Sequence, residues 1–177
     1  MHRAFCATSF FRYLVSVKLT DETYVMDHRI YSEGSVGLMS RSATNSYETV
    51  NEMTKNGIGQ STCVGVGGDV IPGTSFVKLL PMFEEDEQTE AVVLIGEIGG
   101  TDEETAASYI KNHMKKPVIA YIAGRHAPKG KVMGHAGAIV GADGAGSAES
   151  KIDILTAAGV HIADSPDEIV ELLKQVL

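Results

Sequence analysis

The sequence alternates between short apolar runs and amphipathic stretches from residue 35 to its end. Five of the apolar runs are compact and rich in aliphatic residues, as is typical of strands that are buried on both faces. We place these strands at residues 35–40, 62–66, 91–96, 118–122 and 160–163. An amphipathic stretch follows each run, and helices are predicted at residues 44–56, 74–85, 102–115, 147–158 and 165–176. Strands and helices that alternate in this way form βα units and a parallel sheet.

The ends of the predicted helices carry the expected signals. Gly57 and Gly159 each follow a helix, as glycines at C-terminal caps do. The last helix starts at Ser165-Pro166, with a capping-box acid at Glu168. With right-handed crossovers, these ten elements predict an α/β fold of the flavodoxin-like type. It is a doubly wound, five-stranded parallel sheet in the order 2-1-3-4-5, with helices on both faces.

Residues 1–34 differ in composition from the predicted domain at residues 35–177. The first 20 residues contain two arginines, a lysine and a histidine but no acidic residue. This composition suits a mitochondrial transit peptide or a weak secretory signal, and it equally suits a strand and linker from a longer parent chain, or a misplaced start. The default location is the cytoplasm, and it becomes the mitochondrial matrix if the segment is a transit peptide.

The acidic balance of the chain narrows the classes of partner. The 177 residues carry a net charge of −8, which argues against binding to nucleic acid or an anionic membrane, because the phosphates would be repelled. No apolar run approaches the ~20 residues of a membrane span. Cys6 and Cys63 are too far apart to indicate a disulfide framework or a paired metal-ligand motif, so a reducing compartment is the default.

Two polar segments follow the strands where such a sheet binds ligands. That place lies beyond the carboxyl ends of the first and third strands, between which the strand order reverses. The first strand leads into residues 40–46, which offer hydroxyl groups, Arg41 and free backbone N–H groups at a helix start. They predict an anion cradle, although they would equally serve as an ordinary helix cap. The third strand leads into Glu97, set among glycines, which would either orient a histidine or be a solvated turn residue.

One histidine lies on a long loop after the fourth predicted strand. His135 has Gly134 and Gly137 close on either side, which leaves the imidazole uncovered for a large ligand. The alternative is a surface histidine without a chemical role. The other histidines lack Cys or acidic partners at metal-ligand spacing, so no metal site is predicted. Because the cradle, Glu97 and His135 belong to one sheet edge, we predict that Glu97 orients His135 as a phosphohistidine.

Three glycine-containing motifs follow one another along the chain. They are GQSTCVGVGGD at residues 59–69, GEIGG at residues 96–100, and APKGK at residues 127–131 followed by GHAGA at residues 134–138. They closely resemble the second domain of the succinyl-CoA synthetase (succinate–CoA ligase, nucleoside-diphosphate-forming) alpha subunit. The resemblance runs from about residue 35 to residue 177. It implies an acid–thiol ligase that joins a carboxylic acid to coenzyme A and cleaves a nucleoside triphosphate, through an acyl phosphate and a phosphohistidine.

The resemblance also implies roles for individual residues. The catalytic positions are His135 and Glu97, the phosphate-binding positions are Ser42, Ala43 and Thr44, and Tyr47 matches a position that contacts substrate. The family usually has glycine where this chain has Ala43. The methyl group of Ala43 would crowd an anion or penalise a positive φ.

The family further implies substrates and a partner. Coenzyme A, a nucleoside di- or triphosphate with magnesium, and a dicarboxylic acid such as succinate would be substrates of the full complex, and no cofactor would be tightly bound. The nucleotide would bind to a beta subunit. The family's alpha subunit begins with a Rossmann domain that binds coenzyme A, and residues 1–30 are too few for such a domain, so this chain is expected to be inactive alone.

Two alternatives to the ligase remain open. A non-catalytic interaction module would keep the fold and bind a beta-type subunit without turnover. An FMN-binding flavodoxin-like protein is the other, because residues 42–46 also resemble an FMN phosphate loop, although the chain has no Trp to stack on a flavin. A nicotinamide cofactor is not expected, since the glycines at residues 65–68 lack the spacing of a dinucleotide-binding motif.

Overall fold

The computed structural model describes residues 30–177 as five strands that alternate with five helices. The elements in chain order are β1 (Glu33–Ser40), α1 (Ala43–Lys55), β2 (Gln60–Gly65), α2 (Phe76–Glu85), β3 (Ala91–Glu97), α3 (Asp102–His113), β4 (Val118–Ala123), α4 (Ala148–Ala157), β5 (His161–Ala163) and α5 (Pro166–Val176). All ten predicted elements are present, and their ends differ from the predicted ends by no more than two residues.

The strands form one parallel sheet in the order β2-β1-β3-β4-β5. This order confirms the predicted doubly wound, flavodoxin-like α/β topology. The strand order reverses between β1 and β3, which lie side by side with Ser40 opposite Ile95. The backbone N–H of Arg41 continues this pairing with a 2.9 Å hydrogen bond to the carbonyl of Ile95. The carboxyl ends of the two strands therefore meet at the predicted ligand-binding edge.

Helices cover both faces of the sheet because successive residues of a strand point to opposite sides. In β3, Val92 and Leu94 pack in the layer that contains α2, α3 and α4, whereas Val93 and Ile95 pack in the layer that contains α1 and α5. Every residue of β3 is buried. The strand therefore provides a fully packed base for Glu97, its last residue.

Side chains from a neighbouring helix set two of the helix ends. α2 begins at Phe76 rather than at the predicted residue 74, and Asp102 of α3 accepts the N–H of Phe76 at 3.1 Å. α3 ends at His113, and the carboxylate of Glu84 accepts the N–H groups of the two lysines beyond it, at 3.1 and 3.2 Å. Such contacts join residues far apart in sequence, which is why the sequence pattern alone misplaced these ends.

The predictions for the N-terminal segment fall mostly on residues 1–29, which lie outside the described residues. The roles considered for that segment stay predictions. Within residues 30–177, no helix has the length and apolar character needed to cross a membrane.

Candidate active site

Two of the predicted site residues form a direct contact at the carboxyl edge of the sheet. Glu97 ends β3, and its side chain is only 7% exposed. Its Oε2 lies 2.7 Å from Nδ1 of His135. The predicted arrangement, in which a carboxylate holds one ring nitrogen, is therefore present in the structure. The catalytic roles of both residues stay predictions.

His135 is carried at the turn of a small antiparallel hairpin between β4 and α4. Val132 and Ile139 pair across the hairpin, and the N–H of Met133 donates to the carbonyl of Ala138 at 2.8 Å. The side chain of His135 is 42% exposed. One ring nitrogen is thus held by protein while part of the ring remains open to solvent. The sequence predicted a loop here and missed the hairpin.

Two glycines outside the hairpin let it approach the sheet. A Cβ at Gly68, after β2, would collide with the ring of His135 and would lie 2.5 Å from Oε1 of Glu97. Gly68 also accepts a 3.1 Å hydrogen bond from the N–H of Gly137. Gly99, after β3, has a φ of +89°, and a Cβ there would collide with the carbonyl of Gly137. Both glycines belong to the motifs found in the sequence, but only the folded chain shows what they make room for.

Arg41 does not belong to the anion cradle in which the sequence analysis placed it. Its side chain is 7% exposed and faces inward. Its Nε lies 3.5 Å from Oε1 of Glu97, and its Nη1 lies 3.6 Å from Oε1 of Glu103. The physical reason is that buried carboxylates are costly unless a cation is buried with them. Arg41 therefore approaches one oxygen of Glu97 while His135 contacts the other.

A cleft of about 450 Å³ adjoins the imidazole. It is lined by the segment after β2, which includes Gly68, Asp69 and Ile71, and by the turn of the hairpin with His135. The exposed apolar side chains of these two segments are Val70, Ile71, Val132, Met133 and Ile139. An accessible imidazole with apolar side chains around it is suited to contact with a large ligand or another protein.

The predicted phosphate-binding positions occupy the start of α1. Ser42 is the N-cap, and its Oγ accepts the N–H of Asn45 at 3.3 Å. Ala43 and Thr44 are exposed, and helix geometry leaves their N–H groups without an intrahelical acceptor. Because Ala43 is helical, the positive φ considered for it does not occur. The cleft is lined by other segments, so phosphate binding at this helix start stays a prediction.

Tyr47, which was predicted to contact substrate, is half-buried on α1. Burial raises the pKa of Tyr31, with further contributions from Cys63 and Tyr47. Burial also raises the pKa of the Cys63 thiol to about 12. A thiol with such a pKa is a poor nucleophile at neutral pH, so Cys63 is no competitor to His135. Substrate contact at Tyr47 stays a prediction.

The contact with Glu97 determines which nitrogen of His135 can react. An ionised carboxylate only accepts hydrogen bonds, so Glu97 favours the tautomer with its proton on Nδ1. Nε2 then keeps its lone pair, as a nucleophilic nitrogen would need. In the part of the chain that the structure describes, no three His, Cys, Asp or Glu side chains converge as a metal site would need.

Comparison with known proteins defines the class of this protein. A model of the CoA-ligase family matches residues 39–161, a range that contains both Glu97 and His135. The chain therefore belongs to the CoA-ligase family. The match also favours the ligase over the FMN-binding alternative.

The curated relatives are alpha subunits of one enzyme. Succinate–CoA ligase [ADP-forming] subunit alpha 2 of Archaeoglobus fulgidus is 53% identical over 153 residues, which make up 86% of this chain and 53% of the relative. Succinate–CoA ligase [ADP-forming] subunit alpha of Staphylococcus epidermidis is 54% identical over 145 residues, or 82% of this chain and 48% of the relative. These similarities confirm the resemblance inferred from the motifs. The chain spans about half the length of these relatives.

Solved structures of larger enzymes contain the same fold. A mutant ATP citrate lyase of Methanosaeta concilii, in complex with (3S)-citryl-CoA, has a TM-score of 0.76 and 29% identity, covering 84% of this chain and 24% of the lyase chain. ATP citrate lyase of Methanothrix soehngenii, in complex with citrate and coenzyme A, has a TM-score of 0.77 and 28% identity, covering 86% and 26%. The fold of this chain is thus also found as one part of longer chains.

Proposed function

We propose that this chain is the part of a succinate–CoA ligase alpha subunit that is phosphorylated during turnover, with His135 as nucleophile and Glu97 as its orienting carboxylate. The observation that carries the proposal is the 2.7 Å contact between Glu97 Oε2 and His135 Nδ1, beside an open cleft. The family match and the names of the curated relatives support the class of reaction.

The first chemical step transfers a phosphoryl group to the imidazole. Nε2 of His135 attacks the terminal phosphorus of a nucleoside triphosphate, an N–P bond forms, and the bond to the bridging oxygen breaks as the diphosphate leaves. Positive charge develops on the ring, and Glu97 stabilises it through the proton on Nδ1. The backbone N–H groups at Ala43 and Thr44 would stabilise the phosphoryl oxygens, as helix N-termini do.

Two further displacements complete the proposed reaction. A carboxylate oxygen of the acid, such as succinate, attacks the phosphorus, which breaks the N–P bond and restores the neutral imidazole of His135. The sulfur of coenzyme A then attacks the carbonyl carbon of the acyl phosphate. Inorganic phosphate leaves, the thiol proton passes to solvent, and the thioester remains. In this scheme His135 carries the phosphoryl group between the nucleotide and the acid.

The scheme needs a partner that holds the nucleotide. We assign the nucleotide and its magnesium to a beta subunit, because the relatives are named alpha subunits and this chain is acidic overall. The exposed apolar side chains of Val70, Ile71, Val132 and Met133 belong to the segment after β2 and to the hairpin, which together line the cleft, and they are suited to be covered by such a subunit. Without it, the chain is expected to catalyse no net ligation.

The test is phosphorylation of the purified chain. The chain is incubated with a succinate–CoA ligase beta subunit, magnesium and ATP labelled at the terminal phosphate, and acid-labile, base-stable label on the chain is counted. We expect label on the native chain and none on His135→Asn, because among residues 30–177 no other nucleophile contacts Glu97. His126→Asn is the matched control, since His126 is an exposed histidine of the same loop and should leave labelling unchanged.

The opposite result would favour a different function. If a beta subunit binds the native chain and no label appears, the non-catalytic interaction module becomes the better description. If His135→Asn is labelled as strongly as the native chain, His135 is not the phosphorylated residue.

A further inference from the structure

A group of charged side chains lies buried behind the histidine and forms what we call the buried charge cluster. Its buried members are Arg41, Glu97, Glu103 and Lys151, and Glu104, which is 21% exposed, borders them. The side chains of Glu103 and Lys151 are 0% exposed. Charged groups are almost never buried so completely without a specific partner. The cluster needs an explanation beyond the chemistry assigned to His135.

Lys151 of α4 is fully coordinated within this cluster. Its Nζ lies 2.5 Å from Oε2 of Glu103, 2.9 Å from Oε2 of Glu104 and 3.1 Å from the carbonyl of Gly100. An ammonium group has three protons to donate, and three acceptors are present. Lys151 therefore fixes the position of the Glu103 carboxylate from its far side.

Glu103 connects Lys151 to the site. While one of its oxygens accepts from Lys151, the other accepts the backbone N–H of Glu97 at 3.1 Å and lies 3.6 Å from Nη1 of Arg41. The sequence leaves space for this contact, because a Cβ at Gly96 would lie 2.8 Å from Oε1 of Glu103. Glu103 thus holds both the backbone of Glu97 and the arginine that approaches its side chain.

The two oxygens of Glu97 have different surroundings, which shows what this support can do. Oε2 contacts His135 at 2.7 Å, whereas Oε1 is buried, has no hydrogen bond among the described residues, and lies 3.5 Å from Nε of Arg41. The carboxylate can therefore rotate or shift if Arg41 moves. A shift of this kind would weaken the contact with Nδ1.

We propose that Glu103 and Lys151 are positioning residues for the histidine site. Lys151 fixes Glu103, Glu103 fixes Arg41 and the backbone of Glu97, and Glu97 is thereby aimed at Nδ1 of His135. The proposal goes beyond the proposed phosphorylation, because it concerns the tautomer and orientation of the ring whether or not the ring is phosphorylated. Neither residue touches the reacting nitrogen, so both act through Glu97.

The decisive measurement is the nitrogen NMR of the His135 ring in the full ¹⁵N-labelled chain, assigned by the signals missing from His135→Asn. In the native chain we expect the tautomer with the proton on Nδ1 to predominate.

Glu103→Gln keeps the shape of the side chain but removes its charge, and the fraction of this tautomer should fall by about a third or more. The rate of His135 phosphorylation should fall by about tenfold, as expected for a misplaced reacting group.

Glu149→Gln is the control. It makes the same chemical change on α4, two residues before Lys151, but Glu149 is exposed and is not a member of the buried charge cluster. We expect its tautomer fraction and labelling to match the native chain. Should Glu103→Gln fail to fold, Lys151→Met and the double variant Glu103→Gln/Lys151→Met provide the same comparison. The double variant removes both charges of the pair, so neither is left buried without its partner.

Three results would overturn the proposal. The first is a native tautomer fraction in a folded Glu103→Gln or Lys151→Met chain. The second is an equal change in the Glu149→Gln control, and the third is a changed labelling rate with unchanged ring signals. Because the NMR measurement needs no turnover, it remains valid if phosphorylation of His135 fails. Failure of the proposed function can thus be distinguished from failure of this inference.

Discussion

The histidine–carboxylate contact and the start of α1 lie at the same edge of the sheet, yet the chain builds them differently. Glu97 is buried at the end of β3, with His135 at one carboxylate oxygen and Arg41 near the other. At the start of α1, Ser42 caps the helix while Ala43 is exposed. The first region consists of tertiary contacts, and the second consists of local ones.

The difference teaches which sequence features are specific. The approach of the hairpin to Glu97 requires a residue without a side chain at Gly68. This requirement is an unusual sequence feature. A serine N-cap is common, and in this chain α4 and α5 also begin after one, at Ser147 and Ser165. A function for the start of α1 therefore has to be tested against these other helix starts.

The largest effect short of removing the histidine is expected for Glu97→Gln. The amide keeps the size of the side chain but cannot stabilise a positive ring or fix the tautomer in the same way. We expect phosphorylation of His135 to slow by roughly 10²-fold or more. The measurement is the initial rate of acid-labile labelling in the presence of a beta subunit.

Glu90→Gln is the control for this change. Glu90 immediately precedes β3, at the end of the strand opposite to Glu97, and its carboxylate accepts a 2.8 Å hydrogen bond from Ser35. Its labelling rate should equal that of the native chain. A Glu97→Gln chain that is labelled at the native rate would mean that the contact seen in the structure has no part in the chemistry.

The next effect in size is expected for Gly68→Ala, which tests the close approach itself. The added methyl group would collide with the ring of His135, so either the ring or the loop after β2 has to move. A displacement of about 1 Å is enough to slow a reaction by about 10²-fold, and we expect a loss of about 10-fold to 10²-fold. The rate of labelling and the ring signals of His135 should change together.

Gly65→Ala provides the comparison for this variant. Gly65 ends β2, three residues before Gly68, and a Cβ there meets no atom within 4 Å. We expect native labelling from it. Equal losses of labelling in both variants would show that the β2–α2 segment tolerates no added side chain in general. Gly68 would then have no specific role in the contact with His135.

These residues also show how far the sequence could predict the molecule. The order of the strands and the pairing of Glu97 with His135 follow from hydrophobic periodicity and from the rule that ligands bind at the switch point. The inward turn of Arg41 and the burial of Lys151 could not be predicted, because a lysine in an amphipathic helix is normally exposed. Its burial depends on Glu103, 48 residues away, a partner that no local pattern indicates.

At the start of α1, Ser42→Ala should have a smaller effect on labelling than either change beside the histidine. Loss of the cap should lower the free energy of unfolding by about 1 kcal/mol. If the hydroxyl also contacts the phosphoryl group, labelling should fall a few-fold as well, as expected for the loss of one hydrogen bond that contributes about 1 kcal/mol. Thermal unfolding and the labelling rate measure the two effects separately.

Ser165→Ala isolates the cap from the site. Ser165 caps α5 by accepting the N–H of Glu168 at 3.4 Å, so its loss should cost a similar free energy of unfolding. Labelling should remain native. If both variants lose stability and neither loses labelling, Ser42 is only a cap, and the phosphate-binding role drawn from the family resemblance is wrong.

The smallest effect is expected for Ala43→Gly, which restores the residue that the family usually has. Had the methyl group forced a positive φ, glycine would relieve strain, but Ala43 is the first residue of α1 and its backbone is helical. Glycine instead costs up to about 1 kcal/mol in a helix, and less at its first position. We therefore expect a slight loss of stability and a change in labelling of no more than about twofold. A rise of tenfold or more would show that the methyl group crowds a phosphate at the N-terminus of α1. The two regions would then act on the same anion, and their different construction would no longer separate their functions.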